Sequence, residues 1–420
     1  MDKRELIDAL SDGFVHRMRD PLWKDILLDD GLKAVFLCKE VQKLGRIKQN
    51  GPSYLIYPGA VHTRLSHSLG VYHTGRLIML SLLSSLNEVP FTVKGIRSFL
   101  VACLLHDIGH FPYAHSLKEL SIVSHEELAR RIIMRDEELR GAIESANADP
   151  LFTAAIIDEG ALCPDSECMI YRGILSGTLD PDKLDYLNRD AFFAGIPYGL
   201  QDNSYIIASL SLYKGALVIT KSATSSVEHL LFSKYLMYKT LYWHHGVRSA
   251  TAMIKKALLS SIRDKVIKEE DLYYIDDEEF ALIPKRYNYK PFALINSVHS
   301  GALLKQVAKK EFKADGLLER EAKDIYSRFL LEEKIYKELK KHYIQLKEYE
   351  VIVDIPEPIS FEADIGVIDE EGVVKPFSEV TSLFTKEVVH QFTSSLRIVS
   401  VFAPSYVDST IAGEVLKEWM

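Results

Sequence analysis

The chain has 420 residues, of which 47% are hydrophobic and 26% charged. This composition is typical of a globular protein and argues against a disordered or fibrous one, while the length predicts two domains or one large domain with a satellite. The net charge of −8 argues against a protein that coats nucleic acid or lies on an anionic membrane, since both roles need a basic face.

The start of the chain, its apolar runs and its cysteines bear on its compartment. The start, "MDKRELIDALSDGF", carries charge where a signal peptide would be apolar, and no apolar run approaches the roughly 20 residues of a membrane span. The four cysteines have no CxxC spacing, which predicts reduced thiols. We therefore expect a cytoplasmic protein, and the cysteines are Cys38, Cys103, Cys163 and Cys168.

The first 260 residues have mainly helical periodicity. A turn at Asp-Pro in "HRMRDPLWKDILL" precedes a helical pattern over "LKAVFLCKEVQKLGRI", and "GPSYLIYPGA" predicts a short strand or loop. From residue 62 to about 260 the pattern is helical, interrupted by a strand hairpin in "GALVITKSAT". This part of the chain predicts a helical core.

The rest of the chain is mixed. Residues 262 to about 350 continue as charged amphipathic helices, whereas "YEVIVDIPEP", "ADIGVIDEEGVVKPFS" and "LRIVSVFAP" alternate with the period of strands. The predicted fold is mainly α, with a helical domain over residues 1–260 and a smaller α+β region over residues 261–420 that serves assembly or regulation.

A polar cluster ends one apolar helix in "LVACLLHDIGHFPYAH", residues 100–115. His106 and Asp107 are neighbours and would point about 100° apart in a regular helix, so the helix must end there. A helix end can aim an imidazole and a carboxylate at one point. Buried polar groups are costly without a partner, and a metal ion would be such a partner.

Two further stretches offer ligands. Arg64 and His67 share one helical face in "HTRLSHSLG", and Asp182 falls in the first turn of a helix capped by Asp180. A lone histidine in a helix is usually structural, and an aspartate at a helix start is usually a cap. The joint pattern of His67, His106, Asp107 and Asp182 favours a metal site over these separate explanations.

The ordered set "HTRLSHSLG", "LLHDIGHFPYAH", "SHEE" and "LDPDKLDYLNRDAFFAGI" resembles the HD-domain metal-dependent phosphohydrolases, and within them the deoxynucleoside triphosphate triphosphohydrolase branch. The resemblance covers about residues 15–260. It implies a divalent metal ion, with Mn, Mg, Fe, Ni and Zn all compatible with such ligands. The implied ligands are His67, His106, Asp107 and Asp182.

The resemblance also implies roles for the surrounding residues. Arg64 and Lys183 would face substrate phosphates, and Glu119 would orient His115. The implied residues of the reacting centre are His110, His115, Glu119 and His125. The implied contacts with sugar, base and phosphate are Gln49, Tyr186, Asp190, Lys234 and Tyr242.

The expected reaction is hydrolysis of a deoxynucleoside triphosphate to nucleoside and inorganic triphosphate, by attack of water on the α-phosphorus. Other HD enzymes that act on nucleotide mono- or diesters, and a nucleotide-sensing module without turnover, are alternatives, and a purely structural helical protein is a third. Homo-oligomers, dimers or tetramers, are usual in this family, and no nucleic-acid or membrane partner is expected.

The chain departs from its relatives at three places. Gly45 and Ser204 stand where nucleotide-activated relatives carry arginines, which predicts a different activator mode. Asn50 stands where an apolar residue is usual, and its amide could tolerate a ribose hydroxyl that an apolar wall excludes.

Overall fold

The computed structural model describes residues 3–117, 123–359, 361, 364–417 and 419. The fold is mainly α, as predicted. Among these residues, none of the helices combines the length and the apolar character that a membrane span requires.

The first half of the chain is a helical body that carries one hairpin near its start. Its elements are α1 Lys3–Ser11, β1 His16–Asp20, β2 Lys24–Leu28, α2 Asp30–Leu37, α3 Lys39–Lys43, α4 Arg64–Ser85, α5 Val93–Leu105, α6 His125–Arg135, α7 Glu137–Ser145, α8 Pro150–Ile157, α9 Ser166–Leu175, α10 Pro181–Ala194 and α11 Asn203–Ala208.

The second half is mixed. Its elements are β3 Leu210–Tyr213, β4 Ala216–Thr220, α12 Thr224–Met237, α13 His245–Arg263, α14 Asp277–Ala281, α15 Ile283–Arg286, α16 Ala293–His299, β5 Lys305–Glu311, α17 Leu317–Glu321, α18 Ile325–Lys340, β6 Ile352–Asp354, β7 Gly366–Ile368, β8 Val374–Pro376, α19 Phe377–Val380, α20 Lys386–Leu396, β9 Ile398–Ala403 and α21 Ser409–Val415.

Helices α4 and α5 form the centre of the core. Thr63 caps α4 by accepting a hydrogen bond from the Ser66 amide, and α5 ends at Leu105 with His106 as its C-cap, as the sequence predicts. A Cβ at Gly75 would lie 2.6 Å from the Cys103 sulfur, so the glycine lets the two helices approach closely. Their adjacent N- and C-terminal ends bring His67 and His106 together.

Two of the three sheets in the described part of the chain connect distant segments. β1 and β2 form an antiparallel pair, the second sheet has the order β3-β4-β7-β8, and the third has the order β5-β9-β6. β4 pairs with β7 in parallel, with Val218 opposite Gly366. The C-terminal residues Phe361, Phe377 and Phe384 are buried in the same core as α4 and α5. The domain boundary at residue 260 stays a prediction.

Two local predictions were wrong. Gly51–Leu55 forms a 3₁₀ helix rather than a strand or loop, because Pro52 presets a helical φ at its start. Lys305–Glu311 is a strand inside the stretch predicted to be helical, and its six paired residues lie along β9. Here the tertiary pairing overrides the local pattern.

Candidate metal centre and active-site cavity

The four predicted metal ligands lie together at the junction of α4, α5 and α10. The ligand atoms of His67, His106 and Asp107 all lie within 4.8 Å of one another. Asp182, in the first turn of α10, places its Oδ1 2.9 Å from Nε2 of His67. Two helix starts and one helix end thus converge, although 115 residues separate His67 from Asp182 along the chain.

His67 is fixed on both ring nitrogens. Its Nε2 faces Asp182, and its Nδ1 donates a hydrogen bond to Oδ2 of Asp185 at 2.8 Å. Burial lowers the pKa of this imidazole, but the two carboxylates outweigh burial and raise the pKa to about 10. At neutral pH both ring nitrogens therefore carry a proton, and a cation at Nε2 would displace the proton that faces Asp182 while Asp185 keeps the proton on Nδ1.

The hydrogen bonding of His106 shows whether these residues suit a metal ion. Its Nδ1 lies 2.9 Å from the Cys103 carbonyl oxygen, which fixes the proton on that nitrogen. Its Nε2 is buried and has no hydrogen-bond partner among the described residues. A buried nitrogen without a hydrogen-bond partner is costly, and a metal ion would supply the partner. Together with two carboxylates and a second imidazole, this nitrogen forms a set of ligands that suits a divalent transition metal. The residues fit the ion.

Asp107 is surrounded by cationic and imidazole groups. Nη1 of Arg64 lies 2.5 Å from its Oδ2, and Nε2 of His110 lies 3.2 Å from its Oδ1. Burial raises the pKa of Asp107, but His110, Arg64 and His106 together hold it well below its ordinary value. This aspartate is therefore ionised at neutral pH, as a metal ligand must be.

Two of the predicted reacting-centre histidines stack on each other. The ring centroids of His110 and His125 lie 3.9 Å apart, and a nitrogen of each lies within 4.8 Å of an Asp107 oxygen. Burial holds the pKa of His110 well below its ordinary value and also lowers that of His125. The side chain of His115, in a 3₁₀ turn over residues 114–117, and all of Glu119 lie outside the described residues.

A cavity of about 990 Å³ opens beside this cluster, which is room for a nucleotide-sized ligand. Lys183 lies at its wall and forms an ion pair with Asp180, which also caps α10. The predicted site residues that line the cavity are Gln49, Arg64, His106, Asp107, His110, His125, Asp182, Lys183, Tyr186, Asp190 and Tyr242.

Asp190 lies at the far end of the same α10 face. Its Oδ2 accepts a hydrogen bond from the Tyr242 hydroxyl at 2.6 Å, and its Oδ1 lies 2.7 Å from Nε2 of His62. Tyr186 packs edge-on against Tyr242, with ring centroids 6.5 Å apart. These residues form a polar and aromatic wall behind the ligand cluster.

Lys234 is the predicted substrate residue that does not line the cavity. Its ammonium lies 5.5 Å from the ring centroid of Phe361, and burial together with Lys183 lowers its pKa to about 8. The structure therefore places this lysine behind the cavity wall, against the C-terminal region.

The C-terminal region also forms part of the cavity, which the sequence did not indicate. Asp354 of β6 accepts two hydrogen bonds from Arg248 of α13, at 2.5 and 2.8 Å, and both residues line the wall with Glu357. Sequence reasoning also missed Asp185 and His62. The spacing of Asp182, Asp185 and Arg189 on one helix, three and four residues apart, was the available signal.

None of the four cysteines forms a disulfide bond in the structure, and their reduced state stays a prediction. Cys163 and Cys168 lie together, with their sulfur atoms 2.8 Å apart, outside the residues that line the cavity.

The comparison with known families decides the assignment. Residues 64–154 match the HD domain, and residues 201–418 match the HD associated region. The chain belongs to the HD-domain phosphohydrolase family. The first match contains His67, His106 and Asp107, and the second covers the C-terminal wall of the cavity.

One curated relative and one solved structure each match nearly the whole of this HD-domain chain. It is 30% identical over 395 residues to the uncharacterized protein MJ1154 of Methanocaldococcus jannaschii, a match that covers 92% of this chain and 79% of that protein. A phosphohydrolase structure from Bacteroides thetaiotaomicron, 23% identical, superposes with a TM-score of 0.73 over 92% of this chain and 99% of that one. The second likeness shows the shared fold.

A more distant relative has a named activity. The chain is 24% identical over 242 residues to a Dictyostelium discoideum protein named deoxynucleoside triphosphate triphosphohydrolase SAMHD1 homolog. The match covers 56% of this chain and 46% of that protein, so the chain spans about half of that relative's length.

Proposed function

We propose that this HD-domain protein hydrolyses nucleoside triphosphates, above all deoxynucleoside triphosphates, to nucleoside and inorganic triphosphate in a reaction that depends on a divalent metal ion. The observation that carries the proposal is the convergence of four ligands with Arg64, Lys183 and His110 around one nucleotide-sized cavity. The named activity of the Dictyostelium relative supports the same substrate class.

The metal ion would be held by His67, His106, Asp107 and Asp182. When bound, such an ion supplies a nucleophilic water at neutral pH and withdraws charge from phosphoryl oxygens. The four residues bring two imidazoles and two carboxylates, and the ion would displace the proton from Nε2 of His67 when it binds.

The protein's own cations would bind the triphosphate. Nε of Arg64 is buried and has no hydrogen-bond partner among the described residues, and a phosphate oxygen would supply one. Lys183 reaches the same cavity from the first turn of α10. These two groups would stabilise the negative charge that grows on the phosphate oxygens as water attacks the α-phosphorus.

The 5′ oxygen of the departing nucleoside needs a proton donor. In the proposed step the attacking water gives up one proton to the solvent as its oxygen forms a bond to the α-phosphorus, the bond from that phosphorus to the 5′ oxygen breaks, and His115 protonates the 5′ oxygen. His110 and His125, both buried beside Asp107, would contact the reacting phosphate.

The sugar end would lie near the loop that precedes the 3₁₀ helix. Oε1 of Gln49 and Nδ2 of Asn50 are both buried and lack hydrogen-bond partners within the described ranges. One acceptor and one donor could bind sugar hydroxyls, and an amide donor would accept ribose as well as deoxyribose. We therefore expect measurable turnover of ribonucleotides, and Asn50→Leu should lower it relative to deoxyribonucleotide turnover.

Product analysis tests the proposal. Purified protein is incubated with each dNTP and NTP and with Mn²⁺, Mg²⁺ or Ni²⁺, and the products are separated by ion-exchange chromatography. Nucleoside plus triphosphate is the expected pair. Orthophosphate or a nucleoside monophosphate would instead indicate an HD enzyme for other phosphate esters, and binding without products would indicate a sensing module.

Variants separate the metal centre from the proton donor. Asp107→Ala should lose both bound metal and turnover, whereas the exposed Asp315→Ala should keep both. His115→Ala should retain metal and lose roughly 10²- to 10⁴-fold in turnover, with the exposed His342→Ala as its control. A His115→Ala protein with the wild-type rate would eliminate the assignment of the acid.

A further inference from the structure

A fully buried carboxylate lies behind the imidazole of His67. Asp185 has no exposed surface and sits one helical turn after Asp182 on α10, with its Oδ2 2.8 Å from Nδ1 of His67. We propose that Asp185 is a positioning residue, which holds His67 in the orientation that binds the cation, and that Gly70 provides the space it needs. The inference rests on the proposed metal centre and is independent of the substrate.

The carboxylate cannot rotate, because hydrogen bonds hold both oxygens. Nε of Arg189 lies 2.7 Å from Oδ2, and Nη2 of Arg189 lies 3.0 Å from Oδ1. The indole nitrogen of Trp23 donates to Oδ1 at 2.5 Å. Four donors therefore surround Asp185, and one of them is the metal-ligand histidine.

The support continues to the first hairpin. Nη1 of Arg189 lies 2.8 Å from Oδ2 of Asp20, and Oδ1 of Asp20 accepts hydrogen bonds from the amides of Leu22 and Trp23 in the turn between β1 and β2. Arg189 and Asp185 have no exposed side-chain surface. The imidazole is thus connected to the rigid backbone of a turn by an unbroken chain of charged hydrogen bonds.

Gly70 lies three residues after His67, on the same face of α4. A Cβ at this position would lie 1.9 Å from Oδ1 of Asp185 and 2.5 Å from Nη2 of Arg189. These groups are packed inside the core and have no room to retreat. Only a residue without a side chain lets the carboxylate reach the back of the imidazole.

The charge of Asp185 has a function beyond orientation. A carboxylate that accepts the Nδ1 proton fixes the tautomer with a free Nε2 and makes that nitrogen a stronger donor to a metal ion. A neutral amide in its place keeps the shape and loses this effect. The replacement of such a partner commonly weakens metal affinity 10- to 100-fold.

The experiment measures Mn²⁺ binding to the full chain by titration calorimetry. Asp185→Asn should bind Mn²⁺ about 10- to 100-fold more weakly than the wild type. The matched control is Glu332→Gln, which also replaces a buried carboxylate by an amide and breaks an ion pair, with Lys256, outside the ligand cluster. This control should keep the wild-type affinity, and circular dichroism verifies the fold of each variant.

A second pair of variants keeps the carboxylate of Asp185 and tests its position instead. Gly70→Ala should weaken Mn²⁺ binding to a similar degree, because the new methyl group displaces Asp185 from His67. Gly173→Ala is its control, since a Cβ there would meet no atom within 4 Å. If Asp185→Asn does not fold, the pair of glycine variants decides the question.

The outcomes separate the two claims. A wild-type protein that does not bind Mn²⁺ would refute the metal centre itself. A wild type that binds Mn²⁺, with folded Asp185→Asn or Gly70→Ala protein of equal affinity, would overturn the positioning role alone. An equal loss in Glu332→Gln would also overturn it, because the effect would then follow from any broken ion pair in the core.

Discussion

Tyr242 and His62 share the carboxylate of Asp190, which each of them contacts through a hydrogen bond. His62 and Asp190 are at most 2% exposed in their side chains. His62 is also stacked on Phe193, with ring centroids 4.7 Å apart. The wall of the cavity behind the ligand cluster is therefore a rigid network and is sensitive to the removal of single polar atoms.

Tyr242→Phe should destabilise the protein by roughly 1.5–3 kcal/mol, because it removes a hydrogen bond to a buried carboxylate. The free energy of unfolding in urea is the measurement. Tyr238→Phe is the control, since this neighbour makes no hydrogen bond through its hydroxyl to a described residue, and it should change stability by less than about 0.5 kcal/mol. Equal effects of the two changes would contradict the assigned bond.

His73 predicts an acid sensitivity of the fold. It is packed against Trp23, with ring centroids 5.3 Å apart, and burial lowers its pKa to about 4. Because the folded pKa lies below the unfolded one, the unfolded state binds the proton more readily, and stability falls as the pH drops below about 6.5. Protonation of His73 alone should lower the free energy of unfolding by about 2 kcal/mol between pH 7 and pH 5.

The measurement compares the wild type with His73→Phe in urea unfolding at pH 7 and pH 5. Other groups titrate in both proteins, so the difference between the two pH dependences isolates His73. The variant should lose about 2 kcal/mol less on acidification. Parallel pH dependences would show that His73 is not held neutral by its surroundings.

At the scale of elements, the candidate site residues lie at the ends of helices. α5 supplies His106 at its C-cap, while α10 supplies Asp182 and Lys183 in its first turn. Asp180 both caps α10 and pairs with Lys183. The side chain of Asp180 therefore has two roles at the start of α10: it stabilises the first turn of the helix, and it holds the ammonium group of Lys183 beside the cavity.

Asp180→Ala and Asp180→Asn should differ in stability by about 1 kcal/mol, because only asparagine still accepts the hydrogen bond from the Lys183 amide. Both variants lose the ion pair with Lys183, so this contribution cancels in the comparison. Unfolding in urea measures the difference. Equal stabilities would mean that the cap adds nothing to α10.

The sequence predicted these local features because each depends on near neighbours. The end of α5 at His106 follows from two adjacent polar residues, and the start of α10 follows from an Asp-Pro cap. β5 was missed, since "KQVAKKE" has no strong strand pattern and becomes a strand by pairing with β9, nearly 90 residues later. Such pairing cannot be read from a local window.

The residues of the candidate site likewise divide into those that near neighbours in the sequence indicate and those that only long-range contacts reveal. The four proposed ligands are histidines and aspartates that stand in a recognisable order along the sequence. Asp185 and His62 have no such signal, because only their contacts with His67 and Asp190 across the core distinguish them from other buried polar residues. The contribution of Asp354 to the cavity depends on where β6 docks on α13. Long-range packing fixes these positions, and no spacing in the sequence encodes it directly.

At the scale of the whole molecule, the cavity joins the two halves of the chain. Its wall includes residues from Ile47 to Ile359, and β7 and β8 extend a sheet begun by β3 and β4. The ion pair between Arg248 and Asp354 spans 106 residues at this wall. Folding of the C-terminal region and formation of the cavity are therefore expected to be one event.

A double-mutant cycle tests this coupling. Arg248→Ala should destabilise the protein by roughly 3–5 kcal/mol, because it leaves Asp354, 5% exposed, without its partner. Asp354→Ala in the same background should then recover part of the loss. The free energy of unfolding is measured for all four proteins, and additive effects within about 0.5 kcal/mol would contradict a direct interaction between α13 and β6.

The hydrogen bond from Trp23 to Asp185 has an optical consequence. The chain contains three tryptophans, and the indole of Trp23 contacts the carboxylate that holds His67. Any ligand that changes the charge on His67 also changes the electric field at this fluorophore. The emission of Trp23, isolated by replacement of the other two tryptophans with phenylalanine, would report occupancy of the metal centre in real time without any added label.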